Sequence, residues 1–243
     1  MKVSVISAWL VLLATAAYLQ KVDGARTPLM NAVDSNNVNL VKRLLDSGVD
    51  AKATNNNGYS VLMWAASEEH DELVELLIPK SDVNATDNDG HTALMYAAWY
   101  GNEKAVKLLI PKSDVKATNN DGYTALILAA FNGVANGRVK LLIPKSDVNA
   151  TTNDGGTALM YAAWSGSSKR VKLLLPKSDV NATNNHGDTA LMLAAWIGNV
   201  KSVELLLPKS DVEAINNDGE NALDVAKSNG YTRIVRLLQQ HSN

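Results

Sequence analysis

Apolar residues in this chain recur at helical spacing in short paired bursts. Leu94, Ala97 and Ala98 lie at i, i+3 and i+4; after a break at Gly101, Val106, Leu109 and Ile110 repeat the pattern. Two short antiparallel helices are predicted, joined by a tight turn. Thr92 stands at the N-cap of the first, with Thr27, Thr124, Thr157 and Thr189 as equivalents and Ser60 and Asn221 in the same role. Gly101, Gly133, Gly166, Gly198 and Gly230 stand where that helix must close on a left-handed residue. Asn36 is a tolerated substitute there, and Glu69 makes the second copy the weak joint. The second helix cannot pass the following proline, so it is expected to stop near Ile78, Ile110, Ile143, Leu175 and Leu207, with the pre-proline residue pushed out of helical geometry. The polar stretch KSDVNATDNDG, residues 80–90, then reads as a turn and an extended finger with a hairpin tip at Asp-Gly.

The same pattern returns along the chain. The tip glycines Gly58, Gly90, Gly122, Gly155, Gly187 and Gly219 are spaced by 32, 32, 33, 32 and 32 residues. The prolines Pro79, Pro111, Pro144, Pro176 and Pro208 carry the same single step of 33 in the same place. So regular a period indicates stacked units, each of which buries its apolar face only against its neighbours. The units fall at 25–53, 54–85, 86–117, 118–150, 151–182, 183–214 and 215–243, and the extra residue of the fourth lies in the turn at 132–137. In the last unit Asp224, Lys227, Arg233, Arg236, Gln239 and Gln240 supply a polar outer face, so the array is expected to end there.

A hairpin tip, a helix, a tight turn and an antiparallel helix in 32 to 33 residues, carried by DGHTALMYAAWYGNEKAVKLLI and SDVNA, resemble the ankyrin repeat family. The resemblance runs from Ala25 to the C-terminus. It implies an all-α repeat solenoid, an ankyrin-type stack of helix-turn-helix units with hairpin fingers. The family's TPLH survives only in part as Thr27-Pro28-Leu29-Met30 and becomes TALM, TALI or NALD later. Loss of that histidine removes a tie between units and leaves packing to compensate. The family's Gly-Ala after the second helix survives only as Gly48-Val49, and PKS replaces it elsewhere.

Composition adds a leader and removes several chemistries. Lys2, a run from Val3 to Leu19 dominated by Val, Ile, Leu and Ala, and the polar stretch Gln20 to Gly24 have the outline of a secretory signal peptide, residues 1–24, cut after Gly24. Cleavage after Ala16 or Ala17, an uncleaved anchor and a capping helix are the alternatives. The mature chain is expected to be secreted, monomeric and free of the membrane. It would carry 21 basic and 24 acidic residues, since the leader holds Lys2, Lys21 and Asp23, and that balance argues against a nucleic-acid partner. Cysteine is absent, so stability must come from stacking. The NAT triplets at Asn84, Asn149 and Asn181 are sequons, yet they occupy a repeat position filled by Lys116 in the third unit, so they read first as structural.

Catalytic signatures are missing. His70, His91, His186 and His241 have no metal-ligand spacing, no nucleophile, phosphate-loop or dinucleotide motif occurs, and no cofactor is expected. Two aspartate columns, Asp82, Asp114, Asp147, Asp179, Asp211 and Asp89, Asp121, Asp154, Asp218, recur with the unit and read as serving it. The lysine column Lys80, Lys112, Lys145, Lys177 and Lys209 lies beside the first of them and reads as solvated loop charge. After the Ala-Ala pair of helix one come Trp99, Phe131, Trp164 and Trp196, followed by Tyr100, Asn132, Ser165 and Ile197. The ankyrin resemblance places these positions on a concave groove where partners bind, and adds Tyr59, His91 and Tyr123 from the tips. The candidate partner-binding set is therefore Tyr59, His91, Trp99, Tyr100, Tyr123, Phe131, Trp164, Trp196 and Ile197. The same rings could instead stack on their neighbours as a structural ladder, and the two roles can coexist. Tyr96 and Tyr161 read as core. A secreted, non-enzymatic module binding another protein through the groove is the function expected. The alternatives are an enzyme, an enzyme regulator or inhibitor acting by the same groove, and a spacer with no groove partner.

Overall fold

The computed structural model describes residues 26–241 apart from 69, 101 and 133–135. The leader, Glu69, Gly101 and Gly133 lie outside the described residues. Fourteen α-helices occur among those described: α1 (Pro28–Asp34), α2 (Val38–Asp46), α3 (Val61–Ser67), α4 (Asp71–Leu77), α5 (Ala93–Tyr100), α6 (Glu103–Leu109), α7 (Ala125–Phe131), α8 (Gly137–Leu142), α9 (Ala158–Trp164), α10 (Ser168–Leu174), α11 (Ala190–Ile197), α12 (Val200–Leu206), α13 (Ala222–Ser228) and α14 (Thr232–His241). Each odd-numbered helix packs on the even-numbered one that follows it, odd helices pack on odd and even on even in adjacent pairs, and no strand is formed among the described residues. The result is an all-α repeat stack.

The start of helix one works as the polar pattern requires. Thr27, Ser60, Thr92, Thr124, Thr157, Thr189 and Asn221 each accept a hydrogen bond from the backbone N–H three residues on, at 3.0–3.3 Å. In three units a methionine replaces the missing histidine in a capping role: the N-cap N–H of Ser60, Thr157 and Thr189 donates to Sδ of Met63, Met160 and Met192. Left-handed closure is seen at Asn36, Gly166, Gly198 and Gly230.

Helix two stops beside the proline as expected, at Leu77, Leu109, Leu142, Leu174 and Leu206, but the pre-proline residue is not pushed out of helical geometry. Ile78, Ile110, Ile143, Leu175 and Leu207 stay in right-handed helical geometry, with φ between −45° and −48°. The proline sits where the chain tightens by one residue, as in the 3₁₀ turns 78–80 and 207–209, so its ring opens a turn with no N–H to place. In the third unit Lys112 and Ser113 both donate to the Leu109 carbonyl, closing the helix end.

The fingers are turns with at most an isolated bridge, as at Thr54–Ser60 and Thr151–Thr157. What holds them is the next finger. Nδ2 of Asn88, Asn120, Asn153, Asn185 and Asn217 donates to the backbone carbonyl of Asn56, Asn88, Asn120, Asn153 and Asn185 at 2.9–3.2 Å. The backbone N–H of the same five residues donates to the preceding tip as well, at 2.9–3.0 Å. The tip glycines make room for this contact: at Gly122, φ +82°, a Cβ would lie 2.8 Å from Asn153 N, whereas at Gly219, the last tip, nothing is within 4 Å. Hydrogen bonds between fingers therefore supply the tie that packing alone was expected to provide.

Behind the tips the loop polar groups are also engaged. Oδ1 of Asn84, Asn149 and Asn181 accepts from the backbone N–H of Asp114, Asp179 and Asp211, each at 2.8 Å. Asp82, Asp114, Asp147, Asp179 and Asp211 each hold the N–H two residues on, at 2.9–3.1 Å. The core is a continuous column of Leu, Val, Met and Ala from both helix layers, with Leu62, Leu94, Leu126, Leu159 and Leu191 all at 0–1% exposure.

Candidate interaction surface

Helix one of each central unit is wholly uncharged, and its last residues emerge from the core beside the Ala-Ala pair. Trp99, Phe131, Trp164 and Trp196 are partly exposed there. Trp99 and Phe131 have centroids 5.5 Å apart, and Phe131 and Trp164 are stacked at 5.4 Å with 15° between planes. Among the described residues the series does not continue to Trp196. The ladder and the exposed face are thus the same rings, each lending part of its area to its neighbour.

Tyr161 joins this group and is not core. Its ring packs edge-on against Phe131 at 5.8 Å and lies 5.4 Å from Tyr123. The cause is Gly156: a Cβ there would lie 2.7 Å from the Tyr161 ring, so the ring fills the space a side chain would take. Tyr96, in the same register, is buried, with 3% exposed.

Three of the tip residues are not free contact groups. Tyr59 is 0% exposed, with its hydroxyl 3.2 Å from Ser67 Oγ and 3.3 Å from the Met63 carbonyl, and so leaves the set. Tyr123 is 8% exposed and its hydroxyl pairs with that of Tyr161 at 2.9 Å. His91 has 16% of its side chain exposed and links two fingers. Because Asn119 Oδ1 accepts from Asp121 N and Tyr123 N, its Nδ2 donates to His91 Nε2 at 2.9 Å, which puts the proton of neutral His91 on Nδ1, facing Asp87 at 3.5 Å. Tyr100 stacks on Tyr96 at 6.2 Å and is half-buried, while Ile197 is 36% exposed. Helix register was read correctly, but the residue before the N-cap points into the finger joint, not outward.

Burial raises the pKa of Tyr59, Tyr96, Tyr123 and Tyr161 above the ordinary tyrosine value, and for Tyr123 and Tyr161 the carboxylates Asp154 and Asp121 add to the effect. Asp87 is buried, which by itself would raise it, yet hydrogen bonds from His91 and Tyr96 hold it below the ordinary aspartate value.

Sequence reasoning missed two residues that hold the rings in place. Arg138 and Arg170 lie in helix two at a column otherwise filled by Leu40, Leu73, Ala105, Ser202 and Ile234, and are only 1% and 3% exposed. Arg138 donates to the Ala98 carbonyl, to Trp99 O at 3.3 Å and to Asn132 O at 2.9 Å. Arg170 donates to Ala130 O at 2.5 Å. Asn132 Nδ2 adds a bond to Trp99 O at 2.7 Å. These cations cap the C-terminal ends of α5 and α7 from the next unit, where the helix dipole favours positive charge. Desolvation lowers Arg170 to about 10, with repulsion from Arg138 adding to it, so it remains charged at neutral pH. The visible signal was an arginine in an apolar column, in two successive units only.

Among the described residues no group of three or more His, Asp or Glu could hold a metal ion, and no helix is long and apolar enough to cross a membrane.

The fold is thus a solenoid of stacked helix pairs tied by their tips. A family model described as ankyrin repeats (3 copies) matches residues 29–119, 105–184 and 169–243, which together span most of the chain. This chain belongs to the ankyrin repeat family, whose repeats generally mediate protein–protein interaction and are typically non-enzymatic. No curated protein matches the chain in the comparison made.

Proposed function

We propose that the protein is a non-enzymatic binding module that takes a partner protein in its groove, on the aromatic step Trp99–Phe131–Trp164 with Tyr161, flanked by Tyr100, Trp196 and Ile197. The observation that carries this reading is that the rings are only partly exposed and are held rigidly. Cross-unit hydrogen bonds fix the helix ends that bear them, and each ring packs on the next. Rigid aromatic anchors lose little entropy on binding and dominate interface energetics. The hydrophobic run from Val3 to Leu19 supports export, so that the mature chain, proposed to be monomeric and to need no cofactor, acts outside the cell that makes it.

The test is affinity capture with folded mature protein, comparing wild type with Trp99→Ala and Trp164→Ala. Each substitution is expected to weaken a captured partner by about 2 kcal/mol while the fold persists. Unfolding midpoints that drop with no change in affinity per folded molecule would make the rings a purely structural ladder. Secretion is checked separately by sequencing the N-terminus of protein exported by a eukaryotic host, which should begin at Ala25.

A further inference from the structure

The cations of the central units are confined to one part of each repeat. From the start of each finger to the end of helix one, residues 54–67, 86–101, 118–133, 151–166 and 183–198 contain five carboxylates (Asp87, Asp89, Asp121, Asp154 and Asp188) and no lysine or arginine. All fourteen lysines and arginines of residues 54–214 lie in helix two or the loop behind it. The two guanidiniums that approach the rings from below, Arg138 and Arg170, are buried and committed to helix-end carbonyls.

The two aspartate columns also divide. Those behind the helices close their own turns, as described above. Asp121 and Asp154, at the tips of the fingers that precede α7 and α9, are exposed, and their carboxylates take no hydrogen bond or ion pair among the described residues. They serve no visible need of the unit that repeats them. Both act on the tyrosines beside the step, where they oppose ionisation of the Tyr123 and Tyr161 hydroxyls.

The first unit shows what such a surface accepts. Arg26 occupies the register of His91, Tyr123 and Gly156, the residue before the N-cap, and Asp34 occupies the register of Trp99, Phe131 and Trp164. The Arg26 guanidinium lies 4.6 Å over the Trp64 ring and pairs with Asp34 at 2.9 Å, while Trp64 Nε1 donates to Asp34 at 3.3 Å. Carboxylate, ring and guanidinium form one set there, within the chain. Units three to five have rings in the Asp34 register and carry carboxylates at the finger tips instead, and from the finger to the end of helix one they supply no cation of their own.

We infer that the occupant of the groove is a cationic segment of a partner protein, with a Lys or Arg seated on the Phe131–Tyr161–Trp164 rings between Asp121 and Asp154, and apolar side chains on the rest of the step. Cation–π attraction and paired carboxylates are complementary to such a side chain, whereas an acidic segment or nucleic acid meets only like charge. The inference rests on the groove reading above and names the chemistry of its ligand.

A phage library of random dodecapeptides selected on the folded protein tests it, with enriched peptides remeasured by fluorescence anisotropy. The expected winners carry net positive charge and bind at least tenfold more weakly to the double variant Asp121→Asn/Asp154→Asn, which removes charge without changing shape. They also weaken at least tenfold with Trp164→Ala, or with Trp164→Leu where the alanine variant melts. Neutral or acidic winners that are lost on Trp164→Ala overturn the cationic inference and leave the groove reading standing. Cationic winners indifferent to Trp164→Ala and Trp164→Leu overturn both. A library that yields no cationic peptide sensitive to Trp164 also overturns the inference.

Discussion

Substituting Gly122 by alanine isolates what the fingers contribute, because the chain contains its own control. Gly122 and Gly219 have nearly the same backbone, φ +82° and +78°. An alanine at either position is forced into the left-handed region, at a cost of about 1–2 kcal/mol. The difference lies in what the new methyl meets. At Gly122 it would sit 2.8 Å from Asn153 N, 2.9 Å from Asn153 Oδ1 and 3.0 Å from Thr152 C; at Gly219 nothing lies within 4 Å. Relief requires the fifth finger to move off the fourth, which breaks Asn153 N–H to Asp121 O and Asn153 Nδ2 to Asn120 O, both 2.9 Å. Two hydrogen bonds at about 0.5–1.5 kcal/mol each add roughly 1–3 kcal/mol. Gly219→Ala should therefore destabilise by about 1–2 kcal/mol and Gly122→Ala by about 2–5 kcal/mol. Equilibrium unfolding in urea, with the slope checked for loss of cooperativity, measures both. Equal losses for the two variants would refute the claim that tip-to-tip bonding, and not only helix packing, holds the units together.

Lys116 occupies the position where Asn84, Asn149 and Asn181 accept from the next loop, and among the described residues the matching bond to the Asp147 N–H is missing. Lys116→Asn should thus stabilise the stack by about 0.5–1 kcal/mol, read as a higher thermal midpoint, and no gain would mean those bonds contribute nothing. Arg170→Ala leaves helix-end carbonyls unsatisfied and should cost about 1.5–3 kcal/mol in chemical denaturation, whereas Arg170→Met fills the space without a buried charge and should cost clearly less. Equal losses would show that Arg170 acts through its hydrogen bonds alone and that filling the space contributes nothing. Alkali should unfold the protein cooperatively. Tyr59, Tyr96, Tyr123 and Tyr161 have folded values above the ordinary one near 10, so the unfolded chain releases their protons first. Their contribution is intact below about pH 10 and is lost as pH rises further. Phenolate absorbance at 295 nm and helical circular dichroism should then change together; separate transitions, with tyrosines ionising in a folded protein, would contradict the burial described.

Most of the fold was legible because repetition multiplies weak signals. One threonine before an apolar run suggests an N-cap, and seven such residues at one register leave little else to consider. The pre-proline residue was misjudged because the rule against helical geometry there is statistical, and five successive units depart from it, with a turn that carries the proline just past the helix end. The candidate site was legible only in part. Register placed Trp99, Phe131 and Trp164 on one face, but burial depends on what the neighbouring unit presents. Tyr59 and Tyr123 point into the joint between fingers, while Tyr161 comes outward because Gly156, in another column, leaves a space for it. Arg138 and Arg170 were missed because a charged residue on a short helix ordinarily reads as solvated, and only their register among apolar positions distinguishes them.

The central claim concerns which face meets a partner, and site-directed photocrosslinking tests it most directly. With p-benzoylphenylalanine in place of Phe131 on the aromatic step, or of Lys140 on the exposed side of α8, a bound partner should be captured covalently from position 131 and not from 140. Capture from position 140 alone, at equal folding and equal affinity of the two proteins, would contradict the account.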